Sequence, residues 1–205
     1  MSNSQEAGSQ DERRPERHRE PGEGATALVV VDMLNAYDHD DAEELAASVA
    51  DTIEPITSLV DRAREESVPV VYVQDNYGDW NSSAGDLGRR ALEGRHPELV
   101  EPILPPDDAA FIVKARHSAF YGTLLEYLLD RLGAGRIVLA GQVTEQCVLY
   151  SALDAYVRHF QVAIPRDGVA HIHENLGDAA LQMMERNMSA EIAPAAQLRL
   201  SSANS

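Results

Sequence analysis

The run Ala27-Leu28-Val29-Val30-Val31 is apolar at every position, so a strand built from it needs cover on both faces. Similar short runs recur at Val70-Val71-Tyr72-Val73, Phe111-Ile112-Val113, Ile137-Val138-Leu139-Ala140 and Val162-Ala163-Ile164. Longer stretches with helical spacing of apolar residues separate them, as in Leu45, Val49, Ile53, Ile56 and Val60. Fully buried strands alternating with amphipathic helices predict an α/β domain, a three-layer α/β/α sandwich around a central, largely parallel sheet of Rossmann-like type. The expected strands are Ala27 to Val31, Pro69 to Val73, Phe111 to Val113, Ile137 to Ala140, Val162 to Ile164 and a short one near Ala190 to Ile192. One helix is expected from the acidic start at Asp38 to about Glu66. Others are expected from Gly122 to Leu132, from Thr144 to about Arg158 and from Glu174 to Asn187. The segment from Gln74 to Pro106 is rich in glycine and proline, with room only for short helices at Asp86 to Glu93 and Pro97 to Glu101; it reads as a pocket wall or lid.

The chain has 205 residues and 44% apolar content, enough for one domain with a substantial core. Residues 1–24 are charged and apolar-poor and read as a disordered tail, residues 25–193 as the domain, and residues 194–205 as a second tail. The formal net charge of −17 argues against nucleic acid or an anionic membrane surface as partner. No stretch approaches the roughly 20 apolar residues of a membrane span, and nothing resembles a signal peptide. With one cysteine the chain forms no intrachain disulfide, which suits a cytoplasmic location.

That cysteine, Cys147, stands where the run Ile137 to Ala140 passes into a helix. A thiol near a helix N-terminus is expected to have a lowered pKa and a larger thiolate fraction. Read alone, it is either a buried small hydrophobe or a nucleophile. Asp32 closes the first strand and Lys114 the third, so both charges fall at the edge where open parallel sheets bind ligands. Each has an ordinary reading too, the aspartate as a helix cap and the lysine as a solvated strand end. Their coincidence with Cys147 favours chemistry.

Other sites lack their parts. No glycine-rich phosphate loop of dinucleotide-binding or P-loop type is present, and no Gly-x-Ser-x-Gly elbow. His171 and His173 flank Ile172 in a pattern that could chelate a metal, but the neighbouring sequence supplies no further ligands, and an ordinary helix start explains them better.

Val31-Asp32-Met33-Leu34-Asn35, Lys114-Ala115-Arg116-His117-Ser118-Ala119-Phe120 and Gly141-Gln142-Val143-Thr144-Glu145-Gln146-Cys147-Val148 follow each other in this order, each closing a strand. Together they resemble the isochorismatase-like cysteine hydrolases, a family that includes nicotinamidases, N-carbamoyl amide hydrolases, ureidoacrylate hydrolases and isochorismatases. The resemblance runs from about Thr26 to Ile192. It implies a six-stranded sheet, an Asp-Lys-Cys triad at Asp32, Lys114 and Cys147, and a cis peptide at Val143-Thr144 helping to form an oxyanion hole. It also implies a homodimer or homotetramer.

The chain departs from the family at several positions. Nicotinamidase-type members carry an Asp-x-His metal motif after the second strand; here Asp75-Asn76-Tyr77 puts a tyrosine where the first histidine would be. Residues 81–95 hold no histidine before Arg95. No zinc, iron or other cofactor is therefore expected. Leu34 and Ala36 replace a glutamine and an aspartate common in the first motif. Tyr37, Trp80, Phe120 and Tyr121 are the aromatic residues that would line a pocket, with simple packing as the alternative for each.

The expected activity is a metal-independent amidohydrolase that cleaves a C–N bond of a small carboxamide, ureido or carbamoyl compound through a thioester at Cys147. Two alternatives remain open from the sequence: vinyl-ether hydrolysis of isochorismatase type, in which the cysteine is dispensable, and a catalytically silent small-molecule-binding protein. A thiol redox sensor would lack a resolving cysteine in this chain.

Overall fold

The computed structural model describes residues 24–201. Its centre is a parallel sheet in which β1 (Ala25–Val31) lies between β2 (Val70–Asp75) and β4 (Ala134–Gln142). The remaining strands are β3 (Ala110–Lys114), β5 (Gln161–Pro165), the two-residue β6 (Val169–Ala170) and β7 (Glu191–Ala193). Six strands follow one path in the order β3-β2-β1-β4-β5-β7, and β6 pairs with the end of β4. The chain reverses direction across the sheet between β1 and β4, and such a switch point opens a crevice at the C-terminal strand ends.

The apolar runs do what their composition demands. Leu28 and Val30 point into one core with Val138 and Ala140, whereas Ala27, Val29 and Val31 point into a second with Ile137 and Leu139. This two-residue alternation puts buried apolar side chains on both faces of the sheet. The first core is closed by α1 (Ala42–Ala50) and α2 (Ile53–Glu65), the second by α5 (Leu125–Arg131), α6 (Leu149–Val157) and α7 (Glu174–Met188). The glycine-rich connection after β2 holds α3 (Ala84–Leu92), opened by a Ser83–Asp86 capping box, and the single turn α4 (Pro97–Val100).

Several elements depart from the sequence expectation. The long helix from Asp38 to Glu66 is two helices. Pro55 sits in the first turn of α2 and has no N–H to extend the ladder of α1, while the Thr52 amide and hydroxyl both donate to the Val49 carbonyl at 2.8 Å. The helix expected from Gly122 starts only at Leu125, because Thr123 bonds back to Ala119 and accepts from the Leu125 amide. The pairing strand β6 was not foreseen; two residues carry too little periodicity to show.

Residues 195–200, expected within a C-terminal tail, pack onto the domain instead: Ala195, Leu198 and Leu200 are buried, and Arg62 donates to the Ala195 and Leu198 carbonyls. The expected N-terminal tail lies outside the described residues except for Gly24. Among the described residues no helix is long and apolar enough to cross a membrane.

Candidate active site

Strand register brings the three candidate residues together. Val31 stands beside Gly141 across the β1–β4 ladder, and Asp75 beside Lys114 across the β2–β3 ladder. Asp32 follows β1 directly, Cys147 lies in the turn Thr144–Val148 that comes after β4, and Lys114 ends β3. Gly141 makes the close approach possible: at φ +119°, a Cβ there would lie 2.1 Å from the Val31 carbonyl oxygen.

The Lys114 side chain is fully buried and its ammonium joins the site. Nζ lies 2.8 Å from Asp32 Oδ2, 3.2 Å from Asp75 Oδ2 and 3.6 Å from Cys147 Sγ. Asp32 Oδ1 accepts the Asp75 amide at 2.7 Å, so each carboxylate oxygen of Asp32 has a strong donor. Burial works against the charge on Lys114, but Asp32, Cys147 and Asp75 hold it well above the usual lysine range. Burial raises Asp32, with Lys114 opposing the rise. It also raises the Cys147 thiol strongly, and the Asp32 carboxylate adds to that effect while Lys114 opposes it.

The last result corrects the expectation of a lowered thiol pKa. The cysteine lies in a π-type turn, Thr144–Val148, ahead of α6, and is 8% exposed. At that depth burial and a facing carboxylate outweigh what a helix end offers. The raised pKa favours the thiol at rest, with the Asp32 carboxylate as the charge that opposes its ionisation.

The cis peptide also differs from expectation. It joins Gln142 to Val143, one residue before the position the family resemblance implied. Strand β4 itself ends at Gln142, which still pairs with Ala170 of β6, so the chain leaves the sheet at that bond. Val143 packs into the first core, and the Thr144 hydroxyl donates to the Ala170 carbonyl at 2.9 Å. The Gln142 side chain donates to the backbone oxygen of Asp32 at 2.6 Å and fixes the loop where Asp32 adopts φ +57°.

The substitutions at Leu34 and Ala36 have local replacements. The Leu34 amide donates to Gln74 Oε1 at 2.8 Å, and its carbonyl accepts the Tyr77 hydroxyl at 3.2 Å. Gln74 Nε2 in turn donates to the Tyr77 oxygen at 3.1 Å. Asn35 Oδ1 accepts the Tyr37 amide, and Gly94 comes so near Ala36 that a Cβ would meet its carbonyl oxygen at 2.4 Å. Gln74 and Gln142 were invisible as site residues in the sequence, since neither type at a strand end carries a signal of its own.

The residues after β2 do not suit a metal of the nicotinamidase type. The Tyr77 hydroxyl is spent on Leu34 and Gln74, and burial keeps its pKa far above the ordinary tyrosine value. One Asp75 oxygen faces Lys114, and the other accepts the Tyr77 amide. His171 bonds to Ser48, and among the described residues no three His, Cys, Asp or Glu side chains gather into a metal-holding group.

The aromatic residues divide. Tyr37 is fully buried and meets His96 edge to face; Phe120 is buried against Phe160 and under the Arg158 guanidinium. Both pack in the core, the alternative that the sequence left open for them. Trp80 is 80% exposed and Tyr121 66%. A small cavity of about 100 Å³ lies instead between Leu34, Ala36, Asp38, Tyr77, Leu87 and Arg90.

The comparisons with known proteins agree with this geometry. The Isochorismatase domain model matches residues 26–197. An uncharacterised isochorismatase family protein of Bacillus subtilis, YaaI, is 35% identical over 172 residues, covering 84% of this chain and 95% of its own. The crystal structure of nicotinamidase PncA from Bacillus subtilis has a TM-score of 0.64 at 29% identity, over 82% of this chain and 98% of that one. N-carbamoylsarcosine amidase from Thermoplasma acidophilum reaches 0.66 at 28% identity, over 85% and 99%. A match across nearly the whole domain, on a sheet whose C-terminal edge gathers an aspartate, a lysine and a cysteine, places this chain in the isochorismatase family of hydrolases.

Proposed function

We propose that the protein is a metal-independent cysteine amidohydrolase acting on a small carboxamide, ureido or carbamoyl compound. The observation that carries the reading is the buried Lys114 ammonium, within 2.8 Å of Asp32 and 3.6 Å of Cys147. A buried cation that touches both a carboxylate and a thiol holds the acceptor in place and steadies the thiolate as it forms.

In the proposed reaction Asp32 takes the thiol proton, and Sγ attacks the carbonyl carbon of the amide. The oxygen becomes an oxyanion, for which backbone N–H groups of the turn at Thr144 and Cys147 would serve as donors; losing one such donor typically costs ~10²- to 10³-fold in rate. Asp32 gives the proton to the departing nitrogen, and ammonia or an amine leaves a thioester on Cys147. Water then attacks the thioester, releases the acid and restores the thiol. No step needs a metal or organic cofactor, and the residues after β2 offer no metal a site.

The names of relatives support the substrate class, since one solved neighbour is a nicotinamidase and another an N-carbamoylsarcosine amidase. We also propose that the protein works in the cytoplasm as a homodimer or homotetramer. Tyr121, Leu124, Tyr127, Leu153 and Val157 are large apolar side chains left exposed, which a second copy would cover.

Ammonia release from small amides and N-carbamoyl amines, nicotinamide and N-carbamoylsarcosine among them, tests the reading. The wild-type protein should hydrolyse at least one, and Cys147→Ala should fall to the uncatalysed rate. A Cys147→Ala protein that keeps full turnover would favour the vinyl-ether alternative, in which the aspartate does the acid work.

A further inference from the structure

One nucleophile neighbour has no part in the triad. His117 Nδ1 lies 3.6 Å from Cys147 Sγ, while its ring is exposed and stacks on Tyr150 of α6 with centroids 5.5 Å apart. Its loop is fastened to the helix that follows the cysteine. The Ala119 amide donates to Ser151 Oγ at 2.9 Å, and the Ser118 hydroxyl donates to Asp154 and accepts the Phe120 amide. The imidazole is thus held in place on the solvent side of the sulfur, opposite the buried Lys114.

We propose that His117 is a catalytic residue that carries a proton between Cys147 Sγ and bulk water. The proposal rests on Cys147 being the nucleophile. Asp32 is buried, with one oxygen on Lys114 and the other on the Asp75 amide, and the proton it takes from the thiol goes to the departing nitrogen. The proton that Sγ regains in deacylation comes from water, and His117 stands beside the sulfur to carry it. As the oxygen of the attacking water bonds to the thioester carbon, the water gives a proton to Nδ1 and leaves an imidazolium. When the acyl group departs in hydrolysis, the imidazolium returns one proton to Sγ and the starting forms are restored. No oxidant or further reactant is involved.

The groups around the ring that bear on its charge are Cys147 in the π-type turn, Lys114 at the end of β3, Asp32 after β1 and Tyr150 on α6. Arg116 precedes it in the loop, and Asp154 anchors the residue that follows.

The probe is iodoacetamide, which needs no knowledge of the substrate. Alkylation of Cys147, read by intact mass at neutral pH, should be at least about 10-fold slower in His117→Gln than in the wild type. His117→Phe keeps an aromatic ring against Tyr150 and should behave like His117→Gln. A His117→Gln rate that matches the wild type, or full rescue by His117→Phe, overturns the assignment to His117 alone. A wild-type Cys147 that iodoacetamide does not label at all, while added free cysteine is alkylated, overturns the nucleophile reading together with it.

Discussion

The group of Asp32, Lys114 and Cys147 and the aromatic residues expected to line a pocket beside it fare differently in the structure. Asp32 follows β1 at once, Lys114 ends β3 and Cys147 lies in the turn after β4, and parallel register leaves little choice about where such residues go. Tyr37, Trp80, Phe120 and Tyr121 lie in loops, where direction is set by local turns and by what the neighbouring helices leave open. Two turned into the core and two into solvent. Position along a strand therefore transmits to the site, while position along a loop does not.

The largest effect should come from breaking the strand-end group. Lys114→Met leaves the buried Asp32 without its cation, and removing one partner of a buried ion pair costs about 3–5 kcal/mol. Urea unfolding should show that loss, and amide hydrolysis should disappear with it. A stable and active Lys114→Met protein would mean the lysine is only filling space.

Phe120→Ala sharpens the loop side of the comparison. Truncating a buried phenylalanine typically costs about 3–5 kcal/mol, and here the ring also carries Phe160 and Arg158. The denaturation midpoint should fall, with KM unchanged in molecules that remain folded. A selective rise in KM at unchanged stability would return Phe120 to the substrate pocket.

Alkaline pH probes the buried hydroxyls. Burial holds the Tyr37 and Tyr77 phenols above their ordinary value near 10, so the native protein keeps protons there that the unfolded chain releases. The unfolded state then binds fewer protons than the native state, and stability must fall as pH rises from about 9 through 11. Tyr37→Phe removes one such group and should flatten that slope, measured as urea midpoints over the same range. An unchanged slope would mean that Tyr37 does not carry the effect.

The smallest effect belongs to Trp80→Ala. An indole that is 80% exposed should change stability by no more than about 0.5 kcal/mol, and kcat/KM on the best small amide should stay within about twofold. A large loss of kcat/KM would show that the loop after β2 folds over the substrate.

Much of this was legible beforehand for a physical reason. The all-apolar runs show which strands are covered on both faces, and Asp32 and Lys114, which break two of them, mark the edge where the candidate site lies. What escaped were features without periodicity: the two-residue β6, the Pro55 break, the packed segment 195–200 and the polar supports Gln74 and Gln142. His117 stood within a quoted motif, but only the docking of residues 118–120 onto α6 shows that its ring meets the sulfur. The thiol pKa was misjudged because a helix end is visible in sequence while the burial that outweighs it is not.

The central claim is that Cys147 becomes covalently acylated. Acid quenching during turnover of whichever small amide the wild type hydrolyses, followed by peptide mass analysis, tests it most directly. The account predicts the acyl mass on the peptide that contains Cys147, forming and decaying at rates that match turnover. Turnover with an unmodified Cys147 at every time point, retained by Cys147→Ala, would contradict it.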